Sequence, residues 1–217
     1  AARQGIPQRY LEQVLLALAY DVETRAGTVD DEGEEVFDAL RDELLCVGIG
    51  TQKVVLVIPF DTVEPDGPKY WAVEDFGQVK FELRELLTEP AVVKLGHNAG
   101  SYDRMVIERA LGVTPTPLVD TMLLHKLSDG EHRHGLAFLA SQYTDAPAWK
   151  AEHEAASSSR TDAELWRYNA KDIAITSAVA GKVKRKAAAR AQLPLYRKFA
   201  ALQECAVGMH RVGLPVD

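Results

Sequence analysis

The sequence predicts an α/β protein, a mixed sheet of about five strands flanked by helices. Short apolar runs rich in β-branched residues alternate with segments of helical spacing. They follow in the order three strands, helix, strand, helix, strand, then helices only, which suits a sheet covered by helices. Helix ends carry their own start and stop residues.

"VLLALAYDVET" (14–24) is a continuous apolar run that ends in acids, as a buried strand would. "TRAGTVDDEGEE" (24–35) reads as a polar loop. "ELLCVGIGT" and "KVVLVIPF", with "TQ" between them, read as a hairpin. "FELRELLTEP" spaces Phe81, Leu83, Leu86 and Leu87 as a helix does, with Pro90 past its end. "AVVKLGHN" (91–98) reads as another buried strand. "DRMVIERALG" (103–112) is a helix closed by Gly112. "TPTPLVDTMLLHKL" gives a loop, a short strand and a helix, and "HGLAFLASQYT" is helical. A Ser-rich linker precedes "TDAE", a capping box with Thr161 as N-cap and Glu164 at N3. A long helix then runs to about residue 192, and "LPLYRKFAALQECAVGMHRVG" is a further one.

At 217 residues, 47% apolar and 26% charged, the composition is that of an ordinary globular chain. It holds no apolar run long enough to span a membrane, so no membrane partner is expected. The N-terminus lacks Met and has no signal-peptide pattern, which suggests neither a leader nor a native start. Cys46 and Cys205 read as two buried, reduced thiols of a cytoplasmic protein. CxxC, GxGxxG and GxxxxGK[ST] are absent, which removes thiolate metal sites and the two common phosphate cradles. The net charge of −7 argues against a broad basic nucleic-acid footprint. A carboxylate site for divalent cations is also acidic, and two bound cations of charge +2 would take −7 to −3.

Acids interrupt apolar segments at places that matter. Asp21 and Glu23 end a buried strand, and residues i and i+2 share a face. Neighbouring carboxylates repel unless a cation intervenes. Other DxE triplets, Asp30/Glu32 and Asp162/Glu164, fall in a polar loop and a helix first turn, where acids are ordinarily solvated. "HNAGSYD" (97–103) places one of only two asparagines, Asn98, five residues before Asp103. In "YNAKD", Tyr168 and Asp172 are i and i+4 on one helix face. Together these segments offer four carboxylates, an Asn and a Tyr, the set a two-metal phosphoryl-transfer site needs. Phosphodiester hydrolysis asks for up to about 23 kcal/mol of barrier lowering. A general base alone supplies roughly 3–5 kcal/mol, so charge stabilisation at metal ions must carry most of it.

"DVET", "HNAGSYD" and "YNAKD" resemble the three motifs of the DEDD 3′–5′ exonucleases, in the Tyr-containing subgroup, over about residues 14 to 182. "VDTMLLHKL", "HGLAFLASQYT" and the tail "ALQECAVGMHRVGLPVD" also resemble the proofreading domain of family A DNA polymerases. The resemblance implies a ribonuclease H-like fold, with an exonuclease domain over 1–192 and, over 193–217, a helix leading toward a polymerase domain of the same parent chain. It implies two divalent ions, Mg²⁺ or Mn²⁺. Asp21, Glu23 and Asp172 would hold the water-activating ion, and Asp21 and Asp103 the ion at the leaving oxygen. Tyr168 would orient the water, and Thr24, His97 and Asn98 would meet the substrate.

The activity so implied is metal-dependent release of nucleotides from single-stranded DNA 3′ ends, as in proofreading during DNA replication, in a bacterial or phage-infected cytoplasm. The alternatives are a ribonuclease D-like RNA-trimming exonuclease, and a catalytically silent module that binds nucleic acid or a polymerase. The basic run "KVKRKAAARA" (182–191) could touch phosphate or complement its helix dipole. Tyr143, Trp149 and Lys150 could engage a single strand, or Trp149 could be core. His132 and His134 read as solvated loop residues.

Overall fold

The computed structural model describes residues 17–30, 32, 35–65, 67–150 and 161–213. Residues 14–16 of the first expected strand, three positions of the acidic loop (31, 33 and 34) and the Ser-rich linker (156–160) lie outside these. The described strands are β1 (Ala17–Arg25), β2 (Thr28–Val29), β3 (Glu35–Val36), β4 (Glu43–Gly50), β5 (Val55–Pro59), β6 (Val93–Gly96) and β7 (Leu118–Asp120). The described helices are α1 (Val73–Thr88), α2 (Tyr102–Leu111), α3 (Thr121–Ser128), α4 (Leu136–Tyr143), α5 (Asp162–Ala189) and α6 (Leu193–Val212).

Five strands make one mixed sheet in the order β5-β4-β1-β6-β7. β1 pairs antiparallel with β4 and parallel with β6, and β7 extends the parallel half. This five-stranded sheet flanked by six described helices is the ribonuclease H-like arrangement expected.

β4 is buried from Leu44 to Gly50, which explains its unbroken apolar run: both faces are covered. Along β1 the faces separate. Ala19 belongs to a core with Leu124, Leu139, Ile173, Val179 and Val183, on the side of α3, α4 and α5. Tyr20 and Val22 belong to the opposite core with Leu83, Leu87, Val106 and Ile107, under α1 and α2. Each of the buried Leu, Ile and Val side chains contributes about 1.5–3 kcal/mol by leaving water. Successive residues point to opposite faces, so Asp21 and Glu23 fall on the α5 side.

Several expectations are refined. The stretch after β1 contains a two-stranded ribbon, β2 with β3, in which the Thr28 hydroxyl donates to the Val36 carbonyl. The β4–β5 hairpin turns over residues 51–54, longer than "TQ", because Thr51 Oγ1 accepts from the N–H groups of Lys53 and Val54. α1 begins at Val73, eight residues before Phe81. Leu83 and Leu87 are buried on it while Phe81 is 55% exposed.

Gly112 ends α2 at φ 70°, its N–H bonded to the Glu108 carbonyl, as expected for a residue without Cβ. The Thr161–Glu164 capping box is present. α5 stops at Ala189, short of 192. The chain turns through Ala191 at φ 54°, and Pro194, which has no N–H to give, sits in the first turn of α6.

Some surface readings also change. Cys46 is buried but Cys205 is exposed, because α6 turns that position outward. His134 shares a hydrogen bond with the buried His125, and His132 stacks on Phe138 and faces Asp129, so neither is a purely solvated loop residue. In the basic run, Lys186 and Arg190 both pair with Asp129 at the end of α3.

Candidate active site

The polar residues gather at the C-terminal ends of the parallel strands, where α/β sheets commonly bind ligands. β1 brings Asp21 and Glu23 there. β6 ends in the turn His97–Gly100, which leads into α2 with Asp103 in its first turn. α5 crosses the same end, carrying Tyr168, Asn169 and Asp172.

The turn is held from several sides. Buried Asp120 accepts the N–H groups of Asn98 (3.1 Å) and Gly100 (3.2 Å), and caps α3 through Met122 and Leu123. The Tyr20 hydroxyl donates to the Ala99 carbonyl at 3.2 Å. Asn98 takes φ 65°, a left-handed conformation that Asn tolerates better than most residues.

Asp21, Asp103 and Asp172 line one cleft of about 270 Å³, together with His97, Asn98, Tyr102 and Lys150. Of the other expected site residues, Glu23 and Tyr168 lie off the cleft wall. They remain close enough that the Glu23 charge raises the Asp103 carboxyl and the Tyr168 hydroxyl. Thr24 also lies off the wall, bonded to Tyr102.

Charge crowding is the main electrostatic fact. Burial, then the Asp172 charge, pushes Asp21 up to about 8. Burial and the charges of Asp21 and Asp172 hold Glu23 well above the carboxylate range. Asp103 is raised by burial and by Asp21 and Glu23. Burial lowers His97 to about 4, which keeps the ring neutral near pH 7. Its Nδ1 lies 2.9 Å from the Thr121 hydroxyl, and Nε2 is buried with no hydrogen-bond partner among the described residues.

Three supports of the carboxylates stand out: Asn169, which the sequence did not single out, and Trp149 and Lys150, which it offered only as contacts for a single strand or, for Trp149, core. Asn169, fully buried, donates to Asp21 Oδ2 at 2.9 Å. It fits because Gly48 on β4 has no side chain: a Cβ there would lie 1.9 Å from Asn169 Oδ1. Trp149 is core, and its indole N–H donates to Asp172 Oδ1 at 2.6 Å. Lys150 donates to Asp172 Oδ2 at 2.9 Å and to the Tyr168 hydroxyl at 2.7 Å. The acids therefore do have a cation beside them, one that local sequence around Asp21 could not reveal. Tyr143 does not line the cleft; it packs against the α5-side core. Two signals were available: Asn169 is the chain's other asparagine, and Asp120 follows a strand at a helix N-cap position.

The donor chemistry fits divalent cations, since mutually repelling carboxylates are what a cation relieves. Among the described residues, no three His, Cys, Asp or Glu side chains stand close enough to share one ion. Both oxygens of Asp172 are engaged by Trp149 and Lys150.

Residues 11–188 match the family model described as 3′–5′ exonuclease. Ribonuclease D of Musicola paradisiaca (strain Ech703) is 40% identical over 78 residues, which are 36% of this chain and only 19% of that relative's length. NrnC of Brucella melitensis bound to pGG has a similar structure, with TM-score 0.67 at 20% identity, covering 94% of this chain and 89% of that one. The same protein is also known with bound Mg²⁺. RNase D of Escherichia coli, an exoribonuclease involved in structured RNA processing, gives TM-score 0.64 at 20% identity, covering 92% of this chain and 47% of that one. At such identities the structural likenesses speak to the fold.

Proposed function

The chain belongs to the 3′–5′ exonuclease family, and on that premise we propose that it trims RNA from the 3′ end by hydrolysing the terminal phosphodiester. The observation behind the hydrolytic part is the convergence of Asp21, Asp103 and Asp172 on one cleft, with Glu23 and Tyr168 beside it. The choice of RNA over DNA rests on the relatives: a ribonuclease D in sequence, and NrnC and RNase D in fold. These fit the RNA-trimming alternative better than a proofreading domain, and they lend no support to a polymerase portion as partner.

In this reading Asp21, Glu23, Asp103 and Asp172 would hold divalent cations, Mg²⁺ or Mn²⁺, which would supply positive charge to stabilise the hydrolysis of the phosphodiester. Tyr168 is raised to about 12, chiefly by burial and by Asp172. It keeps its proton at neutral pH, so it can orient a water by hydrogen bonding but not deprotonate it. Lys150 brings a positive charge against the Tyr168 hydroxyl and Asp172, where an incoming phosphate oxygen would find it. His97 and Asn98 present a neutral polar wall to the terminal nucleotide. No described helix is long and apolar enough to cross a membrane, and a cytoplasmic site of action stays part of the proposal.

The test is digestion of matched 5′-labelled RNA and DNA oligomers with Mg²⁺ or Mn²⁺. The expected result is a ladder shortening from the 3′ end, faster on RNA, abolished by EDTA and by Asp21→Asn. Release that persists in excess EDTA, or a ladder shortening from the 5′ end, would overturn the hydrolytic reading. Faster digestion of DNA would overturn the choice of RNA.

A further inference from the structure

Asp129, at the end of α3, gathers two segments of the chain. Lys186 donates to its Oδ2, Arg190 to its Oδ1 at 3.3 Å, and His132 Nδ1 lies 3.2 Å from Oδ1. Residues 126–133, with Lys126 and Arg133, are thereby joined to residues 182–190, with Lys182, Lys184, Arg185, Lys186 and Arg190. Seven cations face two acids there, Asp129 and Glu131. The local charge is +5 in a chain of −7, which leaves −12 for the rest.

The helix dipole does not account for these cations. Its pull fades within the last turn. The last turn of α5 holds Lys186 alone, and that of α3 holds His125 and Lys126. Lys182, Lys184 and Arg185 lie earlier on α5, and Arg133 lies on no helix. Lys182 donates to the Tyr143 carbonyl, which fixes the ammonium without cancelling its charge. Arg133 and Arg185 are exposed and have no ion pair among the described residues.

The patch adjoins the cleft. Leu136, three residues past Arg133, is on the cleft wall. The Lys126 charge reaches His97 on that wall, behind burial and Lys150 among the causes that lower it. Along α5, Lys182 and Lys186 stand ten and fourteen residues beyond Asp172, about 15 and 21 Å along the axis. The cleft of about 270 Å³ is smaller than the roughly 300–1,000 Å³ of pockets that enclose a whole ligand. All but the end of a polynucleotide therefore lies outside it.

We propose that residues 126–133 and 182–190 form a docking surface for the sugar-phosphate backbone of RNA, on the 5′ side of the nucleotide held in the cleft. The proposal rests on the RNA-trimming reading and places the body of that substrate. A polyanion fits because positive charge is concentrated here while the rest of the chain repels phosphate. Contacts to phosphate carry no base information, so the surface selects for length and not for sequence.

The test is fluorescence anisotropy of the full chain with 5′-labelled RNA, in EDTA so that nothing is cut, over a series of salt concentrations. RNA of about 16 nucleotides should bind more tightly than RNA of about 4, the two ends of the range for single-strand sites. Arg133→Gln/Arg185→Gln should weaken the longer RNA about tenfold and flatten the log–log salt slope by about 1.4, from about 0.7 for each lost phosphate contact. Arg133→Lys/Arg185→Lys should keep both. Lys53→Gln/Arg84→Gln removes the same charge from exposed positions outside the patch and should change neither. A folded Arg133→Gln/Arg185→Gln protein with wild-type affinity and slope overturns the proposal. So does a Lys53→Gln/Arg84→Gln protein weakened as much, or a wild type that binds both lengths alike or neither. Loss of binding to phosphatidylserine vesicles with RNA affinity intact overturns it in favour of a membrane surface. Because binding is read without turnover, a chain that docks the longer RNA and trims none sinks the trimming function and leaves the surface standing.

Discussion

The side-chain amide of Asn169 donates to Asp21 Oδ2 at 2.9 Å, joining positions 148 residues apart. Its other amide atom, Oδ1, is buried without a partner among the described residues, in space that Gly48 leaves open. A buried polar group is held there to orient a carboxylate. Asn169→Ala should therefore cost about 1–2 kcal/mol of stability and slow turnover more than it weakens RNA binding. Gly48→Ala should be harsher on folding, about 1–3 kcal/mol for overpacking. Urea denaturation alongside single-turnover kinetics would check both; a Gly48→Ala protein of wild-type stability would contradict the tight fit.

Stability without metal should fall as pH rises. Asp21, Glu23 and Asp103 have folded-state carboxyls raised above their unfolded values near 4. The folded protein thus holds more protons than the unfolded chain in the interval above pH 4, and stability declines through it. For Asp21 the decline extends to about pH 8. Added Mg²⁺ should recover stability most at the upper end. Thermal melts between pH 5 and pH 9, with and without Mg²⁺, would show it, and a curve that rises with pH in metal-free buffer would contradict the crowding.

Lys150→Met leaves Asp172 without its ion partner. The lysine side chain is 29% exposed, so the pair is worth less than a fully buried one. The expected loss is about 1–2 kcal/mol in metal-free buffer, smaller with Mg²⁺, and the KM for RNA should rise. A variant unchanged in both respects would make the lysine a bystander.

Tyr168→Phe keeps the ring and removes the hydroxyl that Lys150 contacts. Cleavage should slow by about 10- to 100-fold, the cost of losing one hydrogen bond of about 1.5–3 kcal/mol. Mg²⁺ affinity by calorimetry should stay near that of the wild type. Parallel loss of affinity and rate would mean that the tyrosine shapes the site instead of orienting water.

The sequence was most readable where a local rule decides structure. The Gly112 stop, the Thr161–Glu164 box and the apolar run of β4 follow from neighbours in the chain, and each is found. Asp21, Asp103 and Asp172 were legible because acids at the ends of apolar segments are anomalous locally. Asn169 was not, and Lys150 was legible only as a contact for a single strand. Their partners lie at separations of 148 and 22 residues, which no periodicity encodes. Cys205 and Phe81 show the converse: helical spacing marks a face, but packing decides how wide the covered stripe becomes.

The last helix reaches into the site's scaffolding. The Tyr196 hydroxyl accepts the backbone N–H of Asp120 at 2.8 Å, and the Gln203 side chain lies against Gly100. A version ending at residue 192 would strand that N–H, remove the Gln203 contact from the turn bearing His97 and Asn98, and take buried Tyr196 and Val207 out of the cores. What looks in sequence like a handle for something further along also packs into both cores beside the candidate site, so shortening the protein there should cost stability and activity together.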